Sequence, residues 1–504
     1  MNRLRNIPLF LALWGVMAAS MYVPAIHGLV NERFAEARAF FYSGTLGLFL
    51  VALIAITRSG RRPRKRGGLG ELLALFGAFT LLPVFLALPL YEGLGTTSYV
   101  NAYFEMVSSL TTTGATLFAP ARLSDTMHLW RAQVGWMGGF LMWVAAAAIL
   151  APLNLGGFEI TTSAEPGQGD TAPDHYDRAH AMQRILRSTR LLLPIYGGLT
   201  AVLWLCLVIL GDRPLVGLAH AMSTMATSGI SPLGGVETAG SGMMGEAVIF
   251  LFLFFALSRL TFSSDTLTSA RPGLLSDPEF RLGLLMIVGV PLVLFLRHWI
   301  GAFDFDDVED LAAAARALWG GVFTVLSFLS TTGFESAAWG DARDWSGLGT
   351  PGLILLGLSL IGGGVATTAG GVKLLRIYAL YLNGLREMER LAHPNSVGRA
   401  SSHSRRLRRK GAFVAWVFFM LFALSLATVI GLMSLVGASF EQATVLAIAT
   451  LSTTGPLIEA AAETSIVLAD LSTTGKMILS AAMVLGRLEM LAIIALINPA
   501  LWRD

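Results

Sequence analysis

Four short stretches hold the residues best suited to chemistry: Leu110-Thr-Thr-Thr-Gly-Ala115, Met225-Ala-Thr-Ser-Gly-Ile230, Leu329-Ser-Thr-Thr-Gly-Phe334 and Leu451-Ser-Thr-Thr-Gly-Pro456. In each, two hydroxyl residues precede a glycine: Thr112, Thr113 and Gly114; Thr227, Ser228 and Gly229; Thr331, Thr332 and Gly333; Thr453, Thr454 and Gly455. A cation leaving water needs replacement oxygens, and the carbonyls of an extended loop supply them without adding charge. Glycine admits the dihedral angles that turn successive carbonyls to one side, and threonine and serine hydroxyls can tie such a loop down. A single copy would read as an ordinary helix cap and turn. Four copies, roughly 100–120 residues apart, indicate an internal duplication and point to an ion filter.

The same elements flank every copy: a spanning run, a shorter helical stretch, the Thr/Ser-Gly segment, a polar stretch and another spanning run. Ser439 with Gln442 forms a capping-box pattern that starts the fourth short helix, and Pro214 suits the first turn of the second. A half-helix of ~12–15 residues covers only ~20 Å, so it must stop inside a bilayer, which is tolerated only where the break lines a cavity. The partly negative C-terminus of each half-helix would then face the segment it precedes and favour a cation there.

With 54% hydrophobic and 14% charged residues the chain belongs in lipid. Runs such as 7–30, 69–90, 191–210 and 412–436 are long enough to span as helices. Two runs, 7–30 and 39–57, precede the first repeat, which gives about ten crossings and four re-entrant helices. The segment 7–30 follows Arg3 and Arg5 and reads as a retained helix rather than a signal peptide. Basic clusters (Arg58, Arg61, Arg62, Arg64, Lys65 and Arg66; Arg399, Arg405, Arg406, Arg408, Arg409 and Lys410) assign their loops to the cytoplasm. The stretches 161–177 and 383–410 read as cytoplasmic loops. Acidic residues Asp304, Asp306, Asp307, Glu309, Asp310, Glu459, Glu463 and Asp470 fall outside. Topology accounts for the basic clusters, so no nucleic-acid partner is expected. Cys206 is the only cysteine, and the histidines, among them His27, His128, His220 and His298, form no metal-binding His-Glu-x-x-His pair, so an enzyme is not expected.

The run 351–382 is too long for one straight span and is broken by Gly362, Gly363, Gly364, Gly370 and Gly371, with Thr367 and Thr368 between them. Close helix packing through small residues is the alternative to a loop there. In the last span, Arg487 lies about 16 Å beyond Lys476 at helical rise. A charge at that depth faces a cavity or a partner. Glu489, two residues on, points to another face. Lys373 and Arg376 follow the glycine break, either as parts of a moving element or as cytoplasmic anchors.

On these motifs, together with Leu129-Trp-Arg-Ala-Gln-Val-Gly-Trp-Met-Gly-Gly139, Gly362-Gly-Gly-Val-Ala-Thr-Thr-Ala-Gly-Gly-Val-Lys373 and Leu485-Gly-Arg-Leu-Glu489, the sequence resembles the Trk/Ktr/HKT superfamily of cation transporters, and within it the longer TrkH type. The resemblance implies an all-α polytopic membrane protein: four helix/pore-helix/filter/helix repeats around a pseudo-fourfold pore, with two extra N-terminal transmembrane helices. The corresponding divisions are 1–66 (N-terminal hairpin and basic loop), 67–160 (repeat 1), 161–270 (cytoplasmic loop and repeat 2), 271–400 (repeat 3 with an intramembrane loop) and 401–504 (repeat 4). It further implies potassium uptake across a bacterial inner membrane, since glycine in all four filters goes with potassium selectivity. Potassium would bind at the twelve filter residues named above. The gate would comprise Gly362, Gly363, Gly364, Thr367, Thr368, Gly370, Gly371, Lys373 and Arg487, the arginine raising a barrier below the filter and touching the loop. No cofactor is expected within the chain. A cytosolic nucleotide-binding subunit of the TrkA kind, a second copy of the chain and membrane lipid are the implied partners. Two stretches depart from the family pattern: Ser228 precedes Gly229, which would soften selectivity, and 181–190 matches only loosely. Potassium symport with sodium or protons is the rival reading. No acidic residue stands among the filters, which favours passive flow.

Overall fold

The computed structural model describes residues 8–58, 68–153, 155, 181–258, 277–301, 311–347, 349–393 and 411–488. Among these, regular structure is helical throughout, and eight helices are long and apolar enough to cross a membrane. The N-terminal helices are α1 (Leu9–Ser20), α2 (Tyr22–Val30) and α3 (Phe34–Arg58). Repeat 1 contains α4 (Gly68–Leu94), α5 (Tyr99–Leu110) and α6 (Asp125–Ala145). Repeat 2 contains α7 (Ala181–Ile209), α8 (Pro214–Ala226) and α9 (Gly242–Leu253). Repeat 3 contains α10 (Pro278–Gly301), α11 (Leu311–Leu329), α12 (Trp339–Ser346), α13 (Gly352–Ile361) and α14 (Leu374–Ala392). Repeat 4 contains α15 (Ala412–Leu435), α16 (Phe440–Leu451), α17 (Leu457–Ala461) and α18 (Thr473–Leu488).

Helices α5, α8, α11 and α16 end immediately before the four Thr/Ser-Gly segments, and their packing is cyclic. Each rests on the first helix of its own repeat: α5 on α4, α8 on α7, α11 on α10, α16 on α15. Each also touches the second crossing helix of the preceding repeat: α8 on α6, α11 on α9, α16 on α13, and α5 on α18. The fourth repeat thereby closes on the first. Lys476 on α18 reinforces that seam, its Nζ donating to Asn101 Oδ1 of α5 at 3.0 Å and to the Ala469 carbonyl at 2.8 Å. Phe104, Phe323 and Phe328 on the half-helices are buried, while Leu53, Leu205, Leu251, Leu285 and Leu424 stand exposed on outer faces, as lipid contact requires.

Local sequence explains the helix ends. Ser439 accepts from the Gln442 N–H while Gln442 caps back, so the predicted capping box starts α16. Pro214 occupies the first turn of α8. Run 7–30 is interrupted at Met21 because Pro24 has no N–H for the Ser20 carbonyl, and that oxygen accepts from Gln133 Nε2 at 2.9 Å instead.

The structure corrects two readings, the loop at 383–410 and the length of the third half-helix. Residues 383–392 continue α14 rather than opening a loop, since Leu374–Ala392 contains no helix breaker beyond Gly384. Residues 181–190 are the first turns of α7, where Arg184 reaches Glu71 at 3.2 Å. The third half-helix, α11, has 19 residues against 12 or 13 in the others, so length alone would mark it as a span. The basic loops, the acids at 304–310, the stretch 161–177 and Glu489 lie outside the described residues, apart from Arg58 at the end of α3.

Candidate ion-conduction site

The four half-helices terminate in one backbone pattern. Thr112, Thr227, Thr331 and Thr453 all adopt the left-handed conformation, with φ of 56°, 49°, 60° and 55°. The next N–H then bonds back five residues: Thr113 to Ser108 at 2.8 Å, Ser228 to Ser223 at 3.0 Å, Thr332 to Ser327 at 2.9 Å and Thr454 to Ala449 at 2.8 Å. Helices commonly end this way with glycine or asparagine at the left-handed residue. A β-branched residue there costs about 1–3 kcal/mol, so its recurrence in all four repeats shows a conformation enforced by the surroundings. Hydroxyl pairs brace three of the turns: Thr111 with Thr113 at 2.8 Å, Ser330 with Thr332 at 3.0 Å and Ser452 with Thr454 at 3.2 Å. In the second repeat Ala226 replaces the first hydroxyl, and Ser228 Oγ turns to Ser223 Oγ at 3.1 Å instead.

The segments meet in a closed ring. A methyl group at Gly114 would strike the Ser228 carbonyl, and one at Gly229 would strike the Thr332 carbonyl. One at Gly333 would lie 3.1–3.2 Å from the Pro456 ring, and one at Gly455 would strike the backbone of Gly114 and Ala115. The Gly455 N–H donates to the Thr113 carbonyl at 2.5 Å. Gly114, Gly229 and Gly333 have φ of 77°, 65° and 84°, a conformation that side chains oppose. Gly455 is absent from that group; it precedes Pro456, which restricts it to extended conformations.

The predicted break in run 351–382 lies between α13 and α14 and passes beneath this ring. Thr368 Oγ1 donates to the Met225 carbonyl at 3.3 Å and lies 3.1 Å from Thr227 Oγ1. The Gly370 N–H donates to Thr331 Oγ1 at 2.8 Å, and a methyl at Gly370 would strike Ser452 and Thr453. The loop thus touches three of the four segments. Gly364 is held by the Ala256 carbonyl at 2.9 Å, and the Val365 N–H by Glu279 Oε1 at 3.0 Å. Gly362 would clash with Gly370 and Gly371 if it carried a side chain, and Gly363 with Ala256 and Ala369, so the loop folds tightly on itself. Thr367 Oγ1 closes a turn onto the Gly364 carbonyl at 2.8 Å.

Arg487 on α18 is buried, and its Nη1 donates to the Thr368 carbonyl at 2.6 Å. Lys373 is buried at the end of the loop with φ of 82°, and Arg376 is buried with its guanidinium 3.7 Å from the centre of the Phe418 ring. Burial rules out surface anchoring for both. Every candidate filter and gate residue therefore falls into one cluster. Past the ring glycines, Glu237, Glu335 and Glu459 follow the second, third and fourth segments. Burial, with Glu237 and Glu459 nearby, pushes the Glu335 carboxyl up to about 7, against the opposing pull of Arg343. Sequence patterns alone do not single out Glu237 and Glu335, because nothing in their spacing announces that they face one another.

A family model described as TrkH, cation transport protein, matches residues 240–502, which include the third and fourth segments, the loop and Arg487. The Trk system potassium uptake protein TrkH of Halomonas elongata is 30% identical, with 99% of each chain covered. This chain belongs to the TrkH family of cation transport proteins. The Trk system potassium uptake protein TrkH of Escherichia coli K12 is 27% identical over 97% of both chains. The crystal structure of the potassium transporter TrkH from Vibrio parahaemolyticus superposes with a TM-score of 0.81 at 26% identity, covering all of both chains. As a TrkH-family member the chain is a multi-pass membrane transport protein, not an enzyme, and its all-helical architecture is the family's.

Proposed function

We propose that the chain carries potassium ions into a bacterial cell across the inner membrane, through the ring of four Thr/Ser-Gly segments. The observation that carries this reading is the closure of that ring at the ends of four half-helices, whose negative ends converge on it. Backbone carbonyls of Thr112, Thr113, Gly114 and their counterparts would replace the ion's water, the Thr113 carbonyl with only the lone pair that the Gly455 N–H leaves it. Buried Thr112 Oγ1 and Thr453 Oγ1 have no hydrogen-bond partner among the described residues, which suits them to ligate at the inner end of the ring. The close relatives that bear the name potassium uptake protein support potassium as the ion.

The loop from Gly362 to Lys373 is the gate in this reading: it occupies the space beneath the ring, and Arg487 holds it there. A separate cytosolic nucleotide-binding subunit would release it, and two copies of the chain would associate in the membrane, each with its own pore. Purified protein in liposomes tests the central claim. Uptake of rubidium tracer into potassium-loaded vesicles should be competed by external potassium and rubidium far better than by sodium. It should persist without sodium or proton gradients. Equal competition by sodium, or an absolute need for either gradient, would overturn the proposed selectivity or the passive mode.

A further inference from the structure

Nine residues before each ring glycine, on the buried side of the half-helix, stand Glu105, His220, Thr324 and Leu446. In the first three repeats this residue grips the chain just past the glycine. Glu105 Oε2 accepts from the Leu117 N–H at 3.0 Å, while Oε1 pairs with Arg131 at 2.5 Å. His220 Nε2 lies 2.8 Å from Ser231 Oγ, and since that hydroxyl gives its proton to the Gly235 carbonyl at 2.8 Å, the imidazole is the donor. Thr324 Oγ1 accepts from the Ser336 N–H at 3.3 Å. Glu246 of α9 adds to this third grip from the neighbouring repeat, accepting from Ser336 Oγ at 2.6 Å and from the Ala337 N–H at 2.7 Å.

The fourth repeat lacks the device. Leu446 has nothing to donate or accept, and Ala449 stands where the others have Ser108, Ser223 and Ser327. Its segment instead leans on the first through Gly455 N–H and the Thr113 carbonyl, turning that carbonyl toward an amide.

We infer that Glu105, His220 and Thr324 are positioning residues that fix the outer ends of three ring segments and thereby set the preference between cations, while the fourth segment takes its position from the first. This inference rests on the proposed function of the ring. The residues touch no ion; they act by holding carbonyls at a spacing that suits one ionic radius.

The test compares variants of the full-length protein in liposomes, reading the ratio of potassium to sodium competition against rubidium uptake. Glu105→Gln combined with Arg131→Met retains an acceptor for the Leu117 N–H without leaving a buried charge unpaired, and should keep the ratio within twofold of the parent. Glu105→Leu combined with Arg131→Met removes both halves of the buried pair, leaving no uncompensated charge. It should lower the ratio at least fivefold while the melting temperature stays near the parent's. A folded double variant with the parental ratio would overturn the inference. Should that variant fail to accumulate, Thr324→Val against Thr324→Ser decides: the ratio should fall with valine and return with serine, and an unchanged ratio with valine overturns the inference. A parent protein that shows no preference for potassium would instead overturn the proposed function.

Discussion

Arg487 donates from Nη1 to the main-chain carbonyl of Thr368 at 2.6 Å, so a fixed positive charge and the loop beneath the ring are fastened to each other. Two consequences reinforce each other. Under the proposed function the charge would repel a cation leaving the ring, and the hydrogen bond would keep the loop in the way. At ~6 Å a unit charge opposes potassium by about 3 kcal/mol at an effective dielectric near 20, roughly a hundredfold in rate if unrelieved.

Arg487→Ala is therefore expected to raise potassium flux in liposomes, by up to about two orders of magnitude on that estimate. Arg487→Lys keeps the charge but loses the planar donor fork, and should stay nearer the parent. Lost flux in Arg487→Ala, with normal amounts in the membrane, would make the residue structural.

Gly114→Ser should lower the preference for potassium over sodium severalfold, read from permeability ratios. The side chain meets the Ser228 carbonyl and is opposed by a φ of 77°, a backbone conformation that costs L-residues about 1–2 kcal/mol. Unchanged ratios in a folded variant would remove the segment from the filter.

Deleting residues 362–371 should raise basal flux and make it independent of any cytosolic partner. The loop's bonds to Thr227, Thr331 and Arg487 all disappear together. A shortened protein that folds yet conducts no faster than the parent would refute the gate.

External pH should matter near neutrality. Glu335 is held up to about 7 by burial and by the charges of Glu237 and Glu459, with Arg343 opposing. Above that pH the carboxylate ionises and draws cations to the mouth; below it the group is neutral. Uptake at limiting potassium should rise between about pH 6 and pH 8, and Glu335→Gln should flatten the rise. For stability the sign is opposite: the raised acid favours the folded protein fully below 4.5, and that contribution is lost as pH climbs through about 7.

Much of this arrangement is legible in the sequence because it is written in local signals. The four Thr/Ser-Gly segments, the Ser439–Gln442 cap and the glycine break after Ile361 each fix backbone geometry within a few residues. What stays hidden is set across repeats. Glu246 grips Ser336 and Ala337 some ninety residues away, and Arg131 meets Glu105 only because α6 packs on α5. Ordinary helix-face residues such as Thr324 carry no signature of such a grip. The extent of α14 is not legible in the sequence, because its polar, charged surface reads like a loop where no apolar run holds the helix.

The seam between the first and fourth repeats also governs how the protein is made. A ribosome delivers the first Thr/Ser-Gly segment long before the partner that supplies Gly455 and Lys476 exists. Until α18 arrives, α5 must wait in the bilayer with one flank uncovered and its segment short of a neighbour. The ring is thus the last thing synthesis can complete. A chain interrupted before its final repeat would lack both the Gly455–Thr113 contact and the Lys476–Asn101 tie that close the ring.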